Sequence, residues 1–316
     1  MNILNPLFLV GTGIGLLYAG GEGLVRGSSA MAIRMGLTPL IVGLTVVAFG
    51  TSTPEFLVSL RAVLDGSAPI ALGNVVGSNI ANIGLILGLA ALVRPLHVSA
   101  HTFRIDVPIV IATSLLLPLL LLDRTLGRAE GAGMFALLLL YLFLRVRAAR
   151  QETDRVREEW AEAIPRRPGA IARDLLFVIG GLALLALGAR WLVTGAVQIA
   201  RHFSISEAVI GLTIVAVGTS LPELAASMVA SARGEGDICI GNVLGSNLFN
   251  ILGVLGVTAA IRPLAATDVT LVDYAVMIAY ALVLLPMARS GARLSRLEGG
   301  ALLIAYIGYM SYLLLR

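Results

Sequence analysis

The chain has no lysine, one cysteine, three histidines and few charges, since only 13% of its 316 residues are Asp, Glu, Lys or Arg. A single cysteine, Cys239, excludes an intramolecular disulfide and a thiolate metal centre, and its place in an apolar run marks it as a packing residue. The histidines, His97, His101 and His202, fall in predicted connectors. None aligns with another across the internal repeat described below, which argues against a proton relay, and none is placed to recruit zinc or copper. The shortage of charge excludes an ordinary soluble domain, where about 25% of residues are charged. What fills the sequence instead is apolar, 58% by composition, in runs near 20 residues long. That pattern describes a polytopic protein in a lipid bilayer.

All 23 basic residues are arginine, and the isoelectric point is near 9.6. A nucleic-acid partner is not the better reading, because the arginines gather in connectors, as expected of cytoplasmic loops. The uncharged start, Asn2 to Asn5, has no evident cleavage site downstream. The first apolar segment is therefore expected to be a retained span rather than a signal peptide.

The chain is also duplicated. Gly43 to Glu55 reads GLTVVAFGTSTPE and Gly211 to Glu223 reads GLTIVAVGTSLPE, 168 residues later; the same offset carries GNVVGSNIAN (73–82) onto GNVLGSNLFN (241–250). Apolar runs predict spans at 6–32, 37–64, 68–93, 105–122 and 130–147, then 173–199, 204–232, 237–261, 268–288 and 297–315. Five spans per copy is an odd number, so the second copy enters from the opposite side. The copies are then inverted repeats about an axis in the membrane plane. The expected fold is all-α and membrane-integral. It comprises ten transmembrane helices as two inverted five-helix repeats (1–145 and 173–316), with broken helices at the midplane, joined by a linker over 146–172. Arg147, Arg150, Arg155, Arg157, Arg166 and Arg167 assign that linker to the cytoplasm of a cell inner membrane and both termini to the outside.

Each copy places a glutamate after a proline within an apolar span. Pro54 has no N–H and crowds the carbonyl of Gly50, so the turn opens and frees oxygen ligands; Pro222 repeats this beside Gly218. Thr51 and Ser52 share a helix face with Glu55, and Thr219 and Ser220 share one with Glu223. The next span carries Asn74, Ser78 and Asn82 at four-residue intervals, matched by Asn242, Ser246 and Asn250. A lone Ser or Asn in a membrane helix is as readily explained by packing. Two glutamates are not, because a carboxylate is costly in the bilayer and usually marks an ion or proton path.

Inverted symmetry brings the two breaks together, so the carboxylates must share a proton or be bridged by cations. An all-oxygen set favours a hard cation. Ca²⁺, with six to eight ligands in flexible geometry, suits it better than Mg²⁺, while Na⁺ or protons could occupy the same ligands in exchange.

The paired G-T-S-x-P-E and G-N-V-x-G-S-N motifs in ten inverted spans resemble the cation/calcium antiporter superfamily, specifically the prokaryotic sodium/calcium exchangers, over essentially the whole chain. The resemblance implies electrogenic exchange of Na⁺ for Ca²⁺ by alternating access, with spans one and six as the mobile unit. It implies Glu55 and Glu223 as shared Ca²⁺ and Na⁺ ligands, and Thr51 and Thr219 as carbonyl ligands of Ca²⁺. Ser52, Ser78, Ser220 and Ser246 would line the sodium sites, with Asn82 and Asn250 beside the centre. Members of this family can carry an aspartate where Asn250 stands, which bears on the coupling ion. A calcium/proton exchanger is the alternative.

A channel fits an inverted pair less well than rocking between two access states, and an enzyme lacks a nucleophile with its base. No cofactor is expected, the ions and the bilayer are the partners, and a monomer is the working expectation. Asp106 and Asp273 fall near span starts, where helix capping accounts for them. Glu22, in the first span, corresponds to Arg190 rather than to another acid, and reads as an interfacial or packing residue, with lining an access path as the alternative.

Overall fold

A computed structural model describes residues 4–97, 100–160, 170–203, 216–265, 269–289 and 293–315. Nearly all of them are helical. The helices are α1 (Leu4–Met35), α2 (Pro39–Thr51), α3 (Thr53–Leu64), α4 (Ala68–Val93), α5 (Ala100–Leu120) and α6 (Arg128–Trp160). They continue with α7 (Ala170–His202), α8 (Ala216–Thr219), α9 (Leu221–Arg233), α10 (Gly236–Ile261), α11 (Leu271–Arg289) and α12 (Arg296–Leu315). Among the described residues six helices, α1, α4, α6, α7, α10 and α12, are each long and apolar enough to cross a membrane. The pair α2 and α3, bent by 45°, would make a seventh span. Residues 204–215, the first part of the span expected at 204–232, lie outside the described residues, as does 161–169 of the linker.

The helix α6 runs 13 residues past the end expected at 147. From Arg147 to Trp160 the sequence is rich in Ala, Arg, Glu and Gln and has neither Gly nor Pro, so nothing stops the helix once its apolar stretch has ended. The linker expected over 146–172 therefore begins as helix. His101 likewise belongs to the first turn of α5 and His202 to the last turn of α7 rather than to connectors, while His97 lies, as expected, in a connector, where it forms part of a short strand.

Two glycines in the left-handed region, Gly66 (φ 85°) and Gly234 (φ 83°), end α3 and α9 at corresponding positions. A side chain there would clash with its own backbone, which is why glycine serves as the stop. Four two-residue strands join the connectors of the two halves: β1 (Leu96–His97) pairs with β4 (Arg293–Leu294), and β2 (Thr125–Leu126) with β3 (Leu264–Ala265), both antiparallel. The 168-residue offset maps β1 onto β3 and β2 onto β4, so the two pairings are one contact seen twice.

The longest helix contact is between α1 and α7. Glycines recur every seventh residue on both, at Gly13, Gly20 and Gly27 and at Gly181, Gly188 and Gly195, and they meet antiparallel. A Cβ on Gly13 would lie 2.7 Å from Leu192 N, and one on Gly20 2.7 Å from Leu185 N. Backbone meets backbone along this seam, as small residues permit in lipid, where apolar burial alone cannot hold helices together. Gly20→Val is expected to force the pair apart and cost about 1–3 kcal/mol, read as a lowered melting temperature of the detergent-solubilised protein. Across the centre, Gly241 and Gly245 bring α10 equally close to the carbonyls of Leu40 and Leu44 in α2.

Asp106 corrects the capping expectation. It is fully buried inside α5, where it accepts from Tyr141 Oη at 2.8 Å and from Arg145 Nη2 at 2.9 Å, both on α6. Asp273 does cap, accepting from Thr270 N at 2.8 Å, and it also receives Tyr309 Oη at 2.9 Å. Tyr141 and Tyr309 correspond under the offset. The aspartates thus tie α5 to α6 and α11 to α12.

Candidate cation site

The break between α2 and α3 is a single residue, Ser52, held at φ −83° and ψ 6°; Ser220 between α8 and α9 repeats it at −87° and 7°. Pro54 and Pro222 sit at the second position of the helix that follows, with no N–H to return to the carbonyl four residues back. Glu55 and Glu223 fall in the first turn of α3 and α9. Free backbone N–H groups and the helix dipole there favour a negative charge, which offsets part of the cost of burial. Both glutamates are buried completely.

The two breaks hold each other's glutamates. Ser52 Oγ donates to Glu223 Oε1 at 2.8 Å, and Ser220 Oγ donates to Glu55 Oε1 at 3.1 Å. Thr51 and Thr219 also face Glu223 and Glu55 respectively. The neighbouring helices complete the ring, with Ser246 Oγ 2.9 Å from Ser52 Oγ and Ser78 Oγ 3.5 Å from Ser220 Oγ. The central spans are not regular: π-helical turns run over Gly43–Val47, Asn82–Leu87 and Phe249–Leu255. Such turns shift side chains out of α-helical register and are common at functional sites. Here they include Asn82 and Asn250.

Every site residue expected from the sequence is among the described ones, and nine of them, Thr51, Ser52, Glu55, Ser78, Asn82, Ser220, Glu223, Ser246 and Asn250, are buried in the centre. Thr219 stands at the edge, where it also lines a cavity described below. Asn74 and Asn242 act as struts. Asn74 Nδ2 donates to Ser59 Oγ at 2.9 Å and to the Glu55 carbonyl at 3.2 Å; Asn242 Nδ2 donates to Ser227 Oγ at 3.0 Å and to the Glu223 carbonyl at 3.4 Å.

Two further asparagines of the repeated motif, Asn79 and Asn247, join the site although the four-residue stripe does not pass through them. Asn82 Nδ2 donates to Asn247 Oδ1 at 3.0 Å, and Asn250 Nδ2 donates to Asn79 Oδ1 at 3.2 Å. These bonds fix the amide orientation and turn the remaining oxygen inward. Four oxygens among the described residues are then buried without a protein hydrogen-bond partner and belong to this ring: Glu55 Oε2, Glu223 Oε2, Asn82 Oδ1 and Asn250 Oδ1. A buried acceptor left unmet costs about 1–3 kcal/mol, and more when charged. All four are acceptors, so a cation meets their need and an anion does not. No group of three or more His, Cys, Asp or Glu that could hold a metal occurs among the described residues, so neutral oxygens must supplement the two carboxylates.

The family model described as sodium/calcium exchanger protein matches residues 5–147 and 174–315. The chain belongs to this family. It is a multi-pass membrane protein of the cation/calcium exchange class. Among its relatives it is 43% identical to the putative antiporter CaxA of Alkalimonas amylolytica over 99% of each chain. It is 32% identical to the sodium/calcium exchanger MaX1 of Methanosarcina acetivorans over 98% of each. The inner membrane protein YrbG of Escherichia coli is 40% identical over 83% of this chain and 81% of its own. A solved structure of the sodium-calcium exchanger NCX_Mj superposes with a TM-score of 0.86 at 31% identity, covering 99% of this chain and 100% of that one.

Proposed function

We propose that the protein exchanges Na⁺ for Ca²⁺ by alternating access, with Glu55 and Glu223 as the shared ligands. The observation that carries this reading is the reciprocal pair of serine–glutamate bonds, which leaves one free oxygen on each carboxylate beside two free amide oxygens. Two negative charges within one buried ring repel, and one Ca²⁺ or two Na⁺ neutralise them. Both ions draw on the same two carboxylates, so binding of one excludes the other, as exchange requires. Thr51 and Thr219 would add carbonyls to Ca²⁺, and Ser52, Ser78, Ser220 and Ser246 would contribute to Na⁺. The names of MaX1 and NCX_Mj, both sodium/calcium exchangers, support sodium as the coupling ion.

The proposed architecture is ten spans in two inverted halves, 1–145 and 173–316. The linker is cytoplasmic and both termini lie outside an inner membrane. Contacts that recur under the 168-residue offset, at the breaks, the asparagines and the strands, support a two-fold relation between the halves. The arginines after Val146 support the orientation.

The test uses reconstituted vesicles loaded with sodium. Uptake of radioactive calcium is expected to follow the outward sodium gradient. Uptake that ignores sodium but follows an imposed pH gradient would instead establish calcium/proton exchange. A companion change probes the neutral centre. Asn250→Asp adds charge beside the glutamates and is expected to lower the sodium concentration for half-maximal uptake by at least about threefold; an unchanged sodium dependence would show that position to be electrically silent.

A further inference from the structure

The polar contacts at the centre repeat between the halves with like residues, but one pair further out repeats with its charges exchanged. Glu22 on α1 is bridged to Arg233 at the end of α9. The corresponding positions are Arg190 on α7 and Asp65 just after α3. Acid on the long helix and base at the end of the broken one become base on the long helix and acid at the end of the broken one.

Only the first pair is formed. Asp65 is engaged locally, 2.7 Å from Arg61 one turn earlier, with both side chains exposed. Arg190 has no ion-pair partner among the described residues and lines a cavity of about 1090 Å³. The helices are as unequal as the charges. The helix α1 lies against α9, where a Cβ on Gly21 would be 3.0 Å from Val229 Cγ2 and 3.1 Å from the Ala225 carbonyl. The helix α7 touches the α2 end at Gly50 but barely meets α3. A cavity bounded by α2, α6, α7 and α10 reaches past Thr53 and Leu57 of α3 to Arg190, Thr219 and Pro222; Leu57 is exposed, whereas Ala225, at the corresponding position, is half-buried.

We propose that Glu22–Arg233 and Arg190–Asp65 are two alternating latches. The first holds the state seen here. The second closes over the cavity in the opposite state, when Asp65 exchanges Arg61 for Arg190. The proposal rests on the alternating-access reading above. Because α1 and α7 are joined along their glycine seam, movement that draws α7 onto α3 must also lift α1 from α9, so the two bridges exclude each other. Partly exposed ion pairs are weak enough to break in every cycle, yet each can bias the two populations by about two- to fivefold.

The test uses the full chain in membranes in a Cys239→Ala background, which removes the native thiol. A reporter thiol from Leu57→Cys is labelled with a maleimide from the cavity side. Adding Glu22→Gln is expected to slow labelling by about two- to fivefold, as the population moves to the state that covers Leu57. The exchanged pair Glu22→Arg with Arg233→Glu should restore the native rate, and Arg190→Gln should not slow it. In a separate chain, Arg190→Cys with Asp65→Cys is expected to form a disulfide on mild oxidation and to arrest transport until reduced. Labelling indifferent to Glu22→Gln would overturn the proposal. So would a Glu22→Cys/Arg233→Cys pair that cross-links while Arg190→Cys/Asp65→Cys does not. Labelling and disulfide formation require no sodium, so a failure of sodium coupling, seen as sodium-independent uptake by the native chain, is recognised separately.

Discussion

Calcium uptake is expected to fall by at least about a hundredfold in Glu55→Gln and in Glu223→Gln, with the protein still folded. Glutamine keeps the volume of the side chain and can still accept from Ser220 or Ser52. What it loses is a full negative charge at a buried position. At an effective dielectric of about 20, unit charges 4 Å apart interact by about 4 kcal/mol, and a divalent ion doubles that attraction. Part of the loss is offset because the glutamine no longer demands neutralisation in the empty site, so two decades is the conservative expectation. Initial rates of calcium uptake into sodium-loaded vesicles measure it, alongside the elution profile of each variant as the check on folding. Because each glutamate is held by the other half's serine, the two variants should be about equally impaired. A large inequality would mean that one carboxylate only supports the other.

The second large effect lies away from the ions. Arg145→Leu is expected to destabilise the protein by about 3–5 kcal/mol, because it leaves the Asp106 carboxylate buried in α5 without its cationic partner. Tyr141 still donates one hydrogen bond, which does not neutralise the charge. Thermal unfolding in detergent should show the loss directly. Adding Asp106→Leu to Arg145→Leu removes the stranded charge and should recover most of the stability, since a buried ion pair replaced by apolar groups is often neutral. Failure of that second change to rescue would mean that Arg145 is needed for packing rather than for charge. The matching position in the other half, occupied by Leu313, carries no arginine, so the second half fastens its aspartate through Tyr309 and the capped Thr270 instead.

The contrast between these sites explains how much the sequence could disclose. Glu55 and Glu223 stand out because a carboxylate within an apolar run is rare and because the same six-residue context occurs twice. Thr51, Ser52, Thr219 and Ser220 follow from helix spacing once the prolines mark the breaks. Asn79 and Asn247 lie in the same repeated motif, yet a four-residue stripe drawn through Asn74, Ser78 and Asn82 passes them by. Their importance comes from partners across the molecule, Asn250 and Asn82, and from π turns that shift the register. Asp106 near a span start looks like a cap, and only the position of α6 reveals Tyr141 and Arg145 beside it.

Composition, hydropathy and the repeated motif were sufficient to derive a multi-pass membrane protein of two similar copies, each with a glutamate after a proline in an apolar run, because those properties depend on residue type and spacing alone. Which oxygens remain free, and that each half secures the other's glutamate, required the packed structure, because those facts belong to pairs of atoms from different repeats. The unequal packing of α1 and α7 is the clearest case. Two nearly equal repeats describe two nearly equal arrangements, and nothing local distinguishes them. Only the packed structure shows α1 laid against α9 while α7 barely meets α3.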